Sequence, residues 1–387
     1  MLQTKKATRF LILLLCAAAL LALPVAADAE GGSTVGDTMP PEYAAWLESL
    51  PDSVRALLPD GLFSTDSGEV GAAVQEMTGF PYLVQTVLRL VGARIGDCAK
   101  ILATVCGLLI LCAVCHALRA AFRSEGLSQA FGFCSTLVIT LALFSQSYHS
   151  LESVRVYFEN LNRMSAATLP ISGVLYAMGG NTATAVSAAT GLGVYMTVME
   201  TLVGKTVLPF CGICMAFALM GSVEPSLRSG TLLATVKKNY TTVLAFLMML
   251  LLAMLAGQNL LGARSDSLAM RSVKFAAGNM IPMVGGSVAE VLRTIGAGVG
   301  YLRSTVGICG VLLVLLMLLP TLIELFLLRL TWQLAASAAD LLGCDGERRL
   351  LEEFASLLGY LIAAVSICSS VLFLCFILLA RCGSAVG

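Results

Sequence analysis

The sequence predicts an all-α polytopic membrane protein, with six to seven transmembrane helices behind a cleaved signal peptide. Three observations predict it. Hydrophobic residues make up 58% of the chain and charged residues 12%, shares that lie above and below those of soluble domains. Mean hydropathy is +0.88. Uncharged apolar runs long enough to cross a hydrocarbon core, ~20 residues each, recur from residue 101 to the end. The formal charge is zero, so no net field draws the chain to nucleic acid or to anionic lipid.

The first element is residues 1–27. Lys5, Lys6 and Arg9 precede the apolar run Phe10 to Leu23, and Val25-Ala26-Ala27 offers small residues for cleavage before Asp28, the layout of a secretory signal. An uncleaved first anchor is the competing reading. Either way the next segment is exported. Residues 28–100 carry eleven acids against four bases, and Pro40, Pro41, Pro51 and Pro59 leave room only for short helices such as Glu42 to Leu50. From Tyr82 to Leu102, apolar Leu83, Val87, Leu90, Val91, Ile95 and Cys98 recur at helical spacing. That pattern fits an amphipathic helix, lying on the membrane interface or packed on the protein.

Residues 101–387 form the multi-span domain. Candidate spans are Ile101 to Leu118, Leu127 to Tyr148, Tyr240 to Leu261, Val306 to Leu328 and Leu357 to Ala380. The region Leu169 to Met220 is long enough for two spans, or for one span and a re-entrant hairpin. Gly179-Gly180-Asn181 interrupts it, and Glu200, Gly204 and Lys205 divide it again. Basic residues fall almost evenly on both sides however this region is counted, so the positive-inside rule leaves the side of the C-terminus open.

Residues 271–299 are too polar to span a bilayer and too apolar for an ordinary loop. Pro282 and Gly285-Gly286 break them into two amphipathic halves. Broken backbone of this kind in a membrane protein packs on protein or lines a wet cavity. The stretch is expected to be a re-entrant or interfacial element, with Lys274, Gly278, Asn279, Pro282, Gly285 and Gly286 as its assembly residues.

Chemistry-bearing motifs are scarce. Of thirteen cysteines, most sit in apolar spans, and the CxxC pairs Cys112/Cys115 and Cys211/Cys214 place two small side chains on one helix face. A metal or redox site needs a loop context and further ligands. No Walker lysine motif, His-Glu-x-x-His or Gly-x-Ser-x-Gly occurs. Gly296-Ala297-Gly298-Val299-Gly300 reads as close helix packing. The chain is therefore expected to be non-enzymatic and to need no metal or cofactor. One acid stands out: Glu324, four residues after Pro320. An acid at membrane depth costs about 3 kcal/mol on insertion scales and is a functional candidate. The interface reading is preferred, because the run from Val306 already spans about 27 Å by Ile323. Arg329 stands ~140° around the helix from Glu324, too far for simple pairing.

The pattern Lys274-Phe275-Ala276-Ala277-Gly278-Asn279-Met280-Ile281-Pro282-Met283-Val284-Gly285-Gly286, continuing to Glu290, Thr294 and the Gly-rich Gly296 to Gly300, resembles the stage III sporulation protein AE family of endospore-forming bacteria. Signal peptide, acidic exported segment and number of apolar segments resemble it too. The resemblance implies a multi-pass protein of the mother-cell membrane around the forespore during engulfment. It implies a channel or secretion-like complex joining the two cells, needed for forespore development. The expected partners are membrane lipids, proteins of the same operon and a forespore-side channel protein, with no nucleic acid. The resemblance supplies no catalytic residue. A self-contained secondary transporter of a small solute is the alternative, with the Gly-broken regions 173–193 and 278–300 lining its site.

Overall fold

The computed structural model of the protein describes residues 38–119, 125–223, 229–280 and 285–381. The expected signal peptide lies outside the described residues. Every named element is helical, and among the described residues the one strand-like feature is an isolated bridge between Thr38 and Asp66. Five helical stretches are long and apolar enough to cross a membrane by length and composition. The all-α membrane class therefore holds.

The acidic segment folds into small helices. α1 (Pro41–Glu48) begins on a proline, which is tolerated in a first turn because the lost N–H would be unpaired there, and it buries Tyr43, Trp46 and Leu47 at helical spacing. α2 (Asp52–Arg55) and a 3₁₀ turn (Asp60–Phe63) follow. α3 (Ser67–Thr78) is capped by Asp66, whose Oδ1 accepts from the Gly68 N–H at 2.8 Å. The cluster is seated on the helical bundle. The Trp46 Nε1–H donates to Thr168 Oγ1 at 3.0 Å, its ring lies 5.8 Å from that of Phe376, and the Tyr43 hydroxyl meets Cys309 Sγ at 3.9 Å.

α4 (Phe80–Arg119) is one helix of 40 residues, about 60 Å long, and it passes residue 100 without a break. Leu83, Val87 and Leu90 pack against the core, and the Tyr82 hydroxyl donates to the Leu57 carbonyl at 2.6 Å. The amphipathic stretch thus begins on the protein. From Gly92 to Asp97 every residue is exposed, and Arg94 reaches from this stretch to Glu324.

α5 (Glu125–Met178) has 54 residues and contains both the expected span Leu127 to Tyr148 and the charged stretch after it. It ends at the predicted interruption. Gly180 adopts φ +71, its N–H reaches the Ala177 carbonyl, and the Asn181 N–H reaches the Tyr176 carbonyl, a Schellman turn that requires a residue free to go left-handed. α6 (Thr182–Leu202) then continues through a π turn at Val203–Val207 into α7 (Leu208–Val223). The dividing residues Gly204 and Lys205 fall in that π turn. α8 (Ser229–Met280) runs antiparallel to this path: Gly262 lies against Thr184, Gly191 against Leu255, and the Tyr240 hydroxyl donates to Thr206. The three pairs keep one register, so 182–223 is a single helical path and not a re-entrant hairpin.

α9 (Gly285–Leu341) and α10 (Asp345–Arg381) form an antiparallel hairpin around a second Schellman turn at Gly343, also at φ +71. A Cβ on Gly307 would lie 2.7 Å from the Ala380 nitrogen, so the two backbones approach as only glycine permits. This hairpin holds the largest part of the core, including Leu313, Val314, Leu325, Trp332, Phe354 and Leu372. Gly296–Gly300 is plain helix within α9.

The broken segment falls between α8 and α9. Lys274, Gly278 and Asn279 belong to the last turns of α8, and Gly285 and Gly286 open α9. For these five the backbone alone is described, and Pro282 lies outside the described residues.

Candidate functional site

Glu324 sits where three helices meet. Four residues earlier, Pro320 lies inside α9, and its missing N–H leaves a carbonyl one turn back without its helical donor. The Glu324 side chain is 16% exposed; its Oε2 lies 3.2 Å from Arg94 Nη2 of α4, and its Oε1 accepts from the Ser153 hydroxyl of α5 at 3.0 Å. Both carboxylate oxygens are therefore engaged from other helices. Arg94 lies some 230 positions earlier in the chain, and one sequence offers no signal for such a pair. Arg329, excluded as a partner by helix geometry, does stand elsewhere. Its guanidinium occupies the space beside Gly359 of α10, and its buried Nε has no hydrogen-bond partner among the described residues.

A second charge pair joins α8 to α10. Lys237, only 6% exposed, places Nζ 3.0 Å from Glu353 Oε2. Beside it Phe210 stacks on Tyr240 with ring centres 4.5 Å apart, and Tyr360 closes the cluster against both rings. A lysine this covered is stabilised by its carboxylate, since an unpaired buried charge is strongly disfavoured.

Arg303 of α9 is the third. It is 2% exposed, donates through Nε to the Leu175 carbonyl at 2.9 Å and through Nη2 to the Tyr176 carbonyl at 3.2 Å, and lies 5.0 Å from the Tyr176 ring centre. It caps the C-terminal turn of α5, where carbonyls lack intrahelical donors and the helix dipole favours a cation. Sequence reading places Arg303 in a loop; the structure buries it. The signal available was its position, three residues after the Gly-rich run within a continuous helix.

Both CxxC pairs lie within helices, with Cys112, Cys211 and Cys214 buried. Outside the spans, burial pushes the Tyr43 hydroxyl well above its ordinary range, with the neighbouring Cys309 adding to the effect. It is a neutral hydrogen-bonding group, not a base.

Charges engaged in place between helices, a closely packed hairpin and an N-terminal cluster seated on it describe an assembly of membrane helices. The sequence model of stage III sporulation protein AE matches residues 71–383. The chain belongs to the stage III sporulation protein AE family. The stage III sporulation protein AE of Bacillus subtilis (strain 168) is 26% identical over 290 residues, which cover 74% of this chain and 71% of the relative. No solved structure matches. The family match starts within α3, so Arg94, Ser153, Lys237, Arg303, Glu324 and Glu353 all lie inside it, while α1 and α2 precede it. Membership in the stage III sporulation protein AE family gives the protein a role in sporulation, and the family's description names no enzymatic activity.

Proposed function

We propose that the protein is the polytopic membrane component of a channel or secretion-like complex connecting mother cell and forespore. In this reading it sits in the mother-cell membrane around the forespore, works without catalysis, and assembles with proteins of its operon and a forespore-side partner. The observation that carries the proposal is a many-helix membrane bundle in a sporulation family whose N-terminal cluster is seated on it through Trp46 and Tyr43. A seated cluster of that kind gives soluble or membrane partners a rigid platform. The test is purification of the tagged chain from sporulating cells. Membrane partners encoded beside it should copurify, and deletion should arrest forespore development. Purification of the chain alone, with development intact in the deletion strain, overturns the proposal.

The Arg94–Glu324 pair favours one rival, a secondary transporter that uses Glu324 as a coupling acid. Glu324→Gln keeps the shape and the Ser153 contact and removes the charge. Spore yield should survive this change in a channel component. Loss of spores at normal protein level and partner binding, with ion-driven solute uptake by the purified parent chain in liposomes, would favour the transporter.

A further inference from the structure

α5 passes the most apolar part of the protein with charges on its outer side. Its inner side is fixed by Ser153 at Glu324, Tyr157 at Ser369, Thr168 at Trp46 and Leu175 at Arg303. Between the first and last of these contacts α9 runs from Glu324 back to Arg303, so the charge-free run 306–323 lies alongside 153–175 of α5. On the opposite side of α5, Glu152, Arg155, Glu159 and Arg163 are all exposed, and their three- and four-residue spacing puts them in one stripe. Glu152, Arg155 and Glu159 have half their side-chain surface open. On α4, Asp97 and Lys100 are exposed beyond Arg94, which is paired with Glu324.

At this depth the outer face of α8 is apolar, although Glu200 of α6, level with Phe246 in the register above, is also exposed. Lys237 at Glu353 and Tyr240 at Tyr360 set α8 parallel to α10. Its exposed Val243, Phe246, Met249 and Leu250 therefore fall beside the same apolar slab. One molecule thus carries a lipid-like face on α8 and a charged face on α5 at one height. A charge facing hydrocarbon costs about 3 kcal/mol or more, and four on one stripe exceed what a helix recovers by packing.

We propose that the outer face of α5, from Glu152 to Arg163, with the adjoining charges of α4, lines a water-filled passage through the membrane. The proposal rests on the channel reading above and says which surface forms the channel wall. Two acids alternate with two bases along the stripe, and Arg155 lies 3.8 Å from Glu152 and 3.0 Å from Glu159. The wall is polar without a net field, so it suits hydrated solutes of either charge sign and does not select by sign.

The test uses the full chain in membranes of sporulating cells, intact and permeabilised. Single cysteines replace Glu152, Glu159 and Arg163 on the stripe, and Phe246 and Leu250 on α8 serve as controls at the same depth. A charged, membrane-impermeant thiol reagent is applied and each site is read by peptide mass spectrometry. Stripe positions should react about tenfold or more faster than the α8 controls, because the thiolate that reacts forms in water and not in lipid. Equal labelling at all five positions places this depth outside the bilayer and overturns the passage. Protection at all five also overturns it, and disulfide cross-links between two copies at position 159 would then assign the stripe to a subunit contact. The unsubstituted chain gives a second readout. A water-soluble carbodiimide with a charged amine should modify Glu152 and Glu159 as well as the fully exposed Asp52; reaction at Asp52 alone counts against the proposal. Failure of these labels with partners still copurifying removes the passage from this face and leaves the complex standing.

Discussion

The α9–α10 hairpin and the pair α4 and α5 are both built from long helices, and they pack differently. In the most apolar window of α9, 67% of residues are buried, against 17% in α4. The α9–α10 pair closes at Gly307 and Gly310, where small residues let backbones touch. On α5 a charged stretch lies beside that hairpin's driest run. The apolar runs Ile101 to Leu118 and Leu127 to Tyr148 lie further along the axis, beyond the level of Glu324. The two pairs therefore present different surfaces: one is packed along its length, and the other leaves a charged stripe exposed on α5. Hydrophobicity alone does not say which helix faces lipid; register between helices does.

That contrast can be broken first at the seat of the N-terminal cluster on the dry hairpin. Trp46→Ala empties a fully buried ring site against Phe376 and should cost about 3–5 kcal/mol. Limited proteolysis should then cut within residues 38–79 while the bundle stays intact; a protected segment would show that other contacts hold it. Gly307→Leu should follow, at about 3 kcal/mol, because the Ala380 backbone cannot yield to a new side chain. A lowered melting temperature in detergent checks it, and an unchanged one would mean the helices do not meet there.

Arg303→Met sharpens the comparison at the junction of the two pairs. It leaves the Leu175 and Tyr176 carbonyls without their charged donor, at about 2 kcal/mol. Melting should drop, and hydrogen exchange should rise at the end of α5. The smallest effect is expected on the wet side. Lys100→Ala removes only an exposed pair with Asp97, and such pairs contribute little. A melting temperature shifted as far as by Arg303→Met would show that α4 is covered there.

Much of this was legible in order along the chain. Gly179-Gly180-Asn181 marks the end of α5 because a left-handed residue is needed there, and the prolines before residue 60 confine the first helices to short pieces. The uncharged run from Val306 sits inside a longer helix, as its composition indicates. The stretch after Tyr148 misled, because its charges resemble a loop; they sit on one face of an amphipathic helix whose other face carries Val154, Tyr157, Leu161 and Met164. Glu324 was legible as an acid in an apolar run, but its partners Arg94 and Ser153 were not, and Arg303 became a residue of interest only through the carbonyls of α5 that it meets. The division between 169 and 220 was undecidable from Glu200, Gly204 and Lys205, since a helix can absorb such residues in one π turn.

The seat of Trp46 also sets a timetable for biogenesis. Its pocket is made of Thr168, contributed midway through synthesis, and Phe376, contributed almost last. At about 5–20 residues per second, the N-terminal cluster waits on the order of tens of seconds before its socket exists. During that interval an indole and its apolar neighbours lack their covering helices, so an escort or a protease has its opportunity then. Final closure of the cluster onto the bundle is in effect a report that the last helix has been inserted.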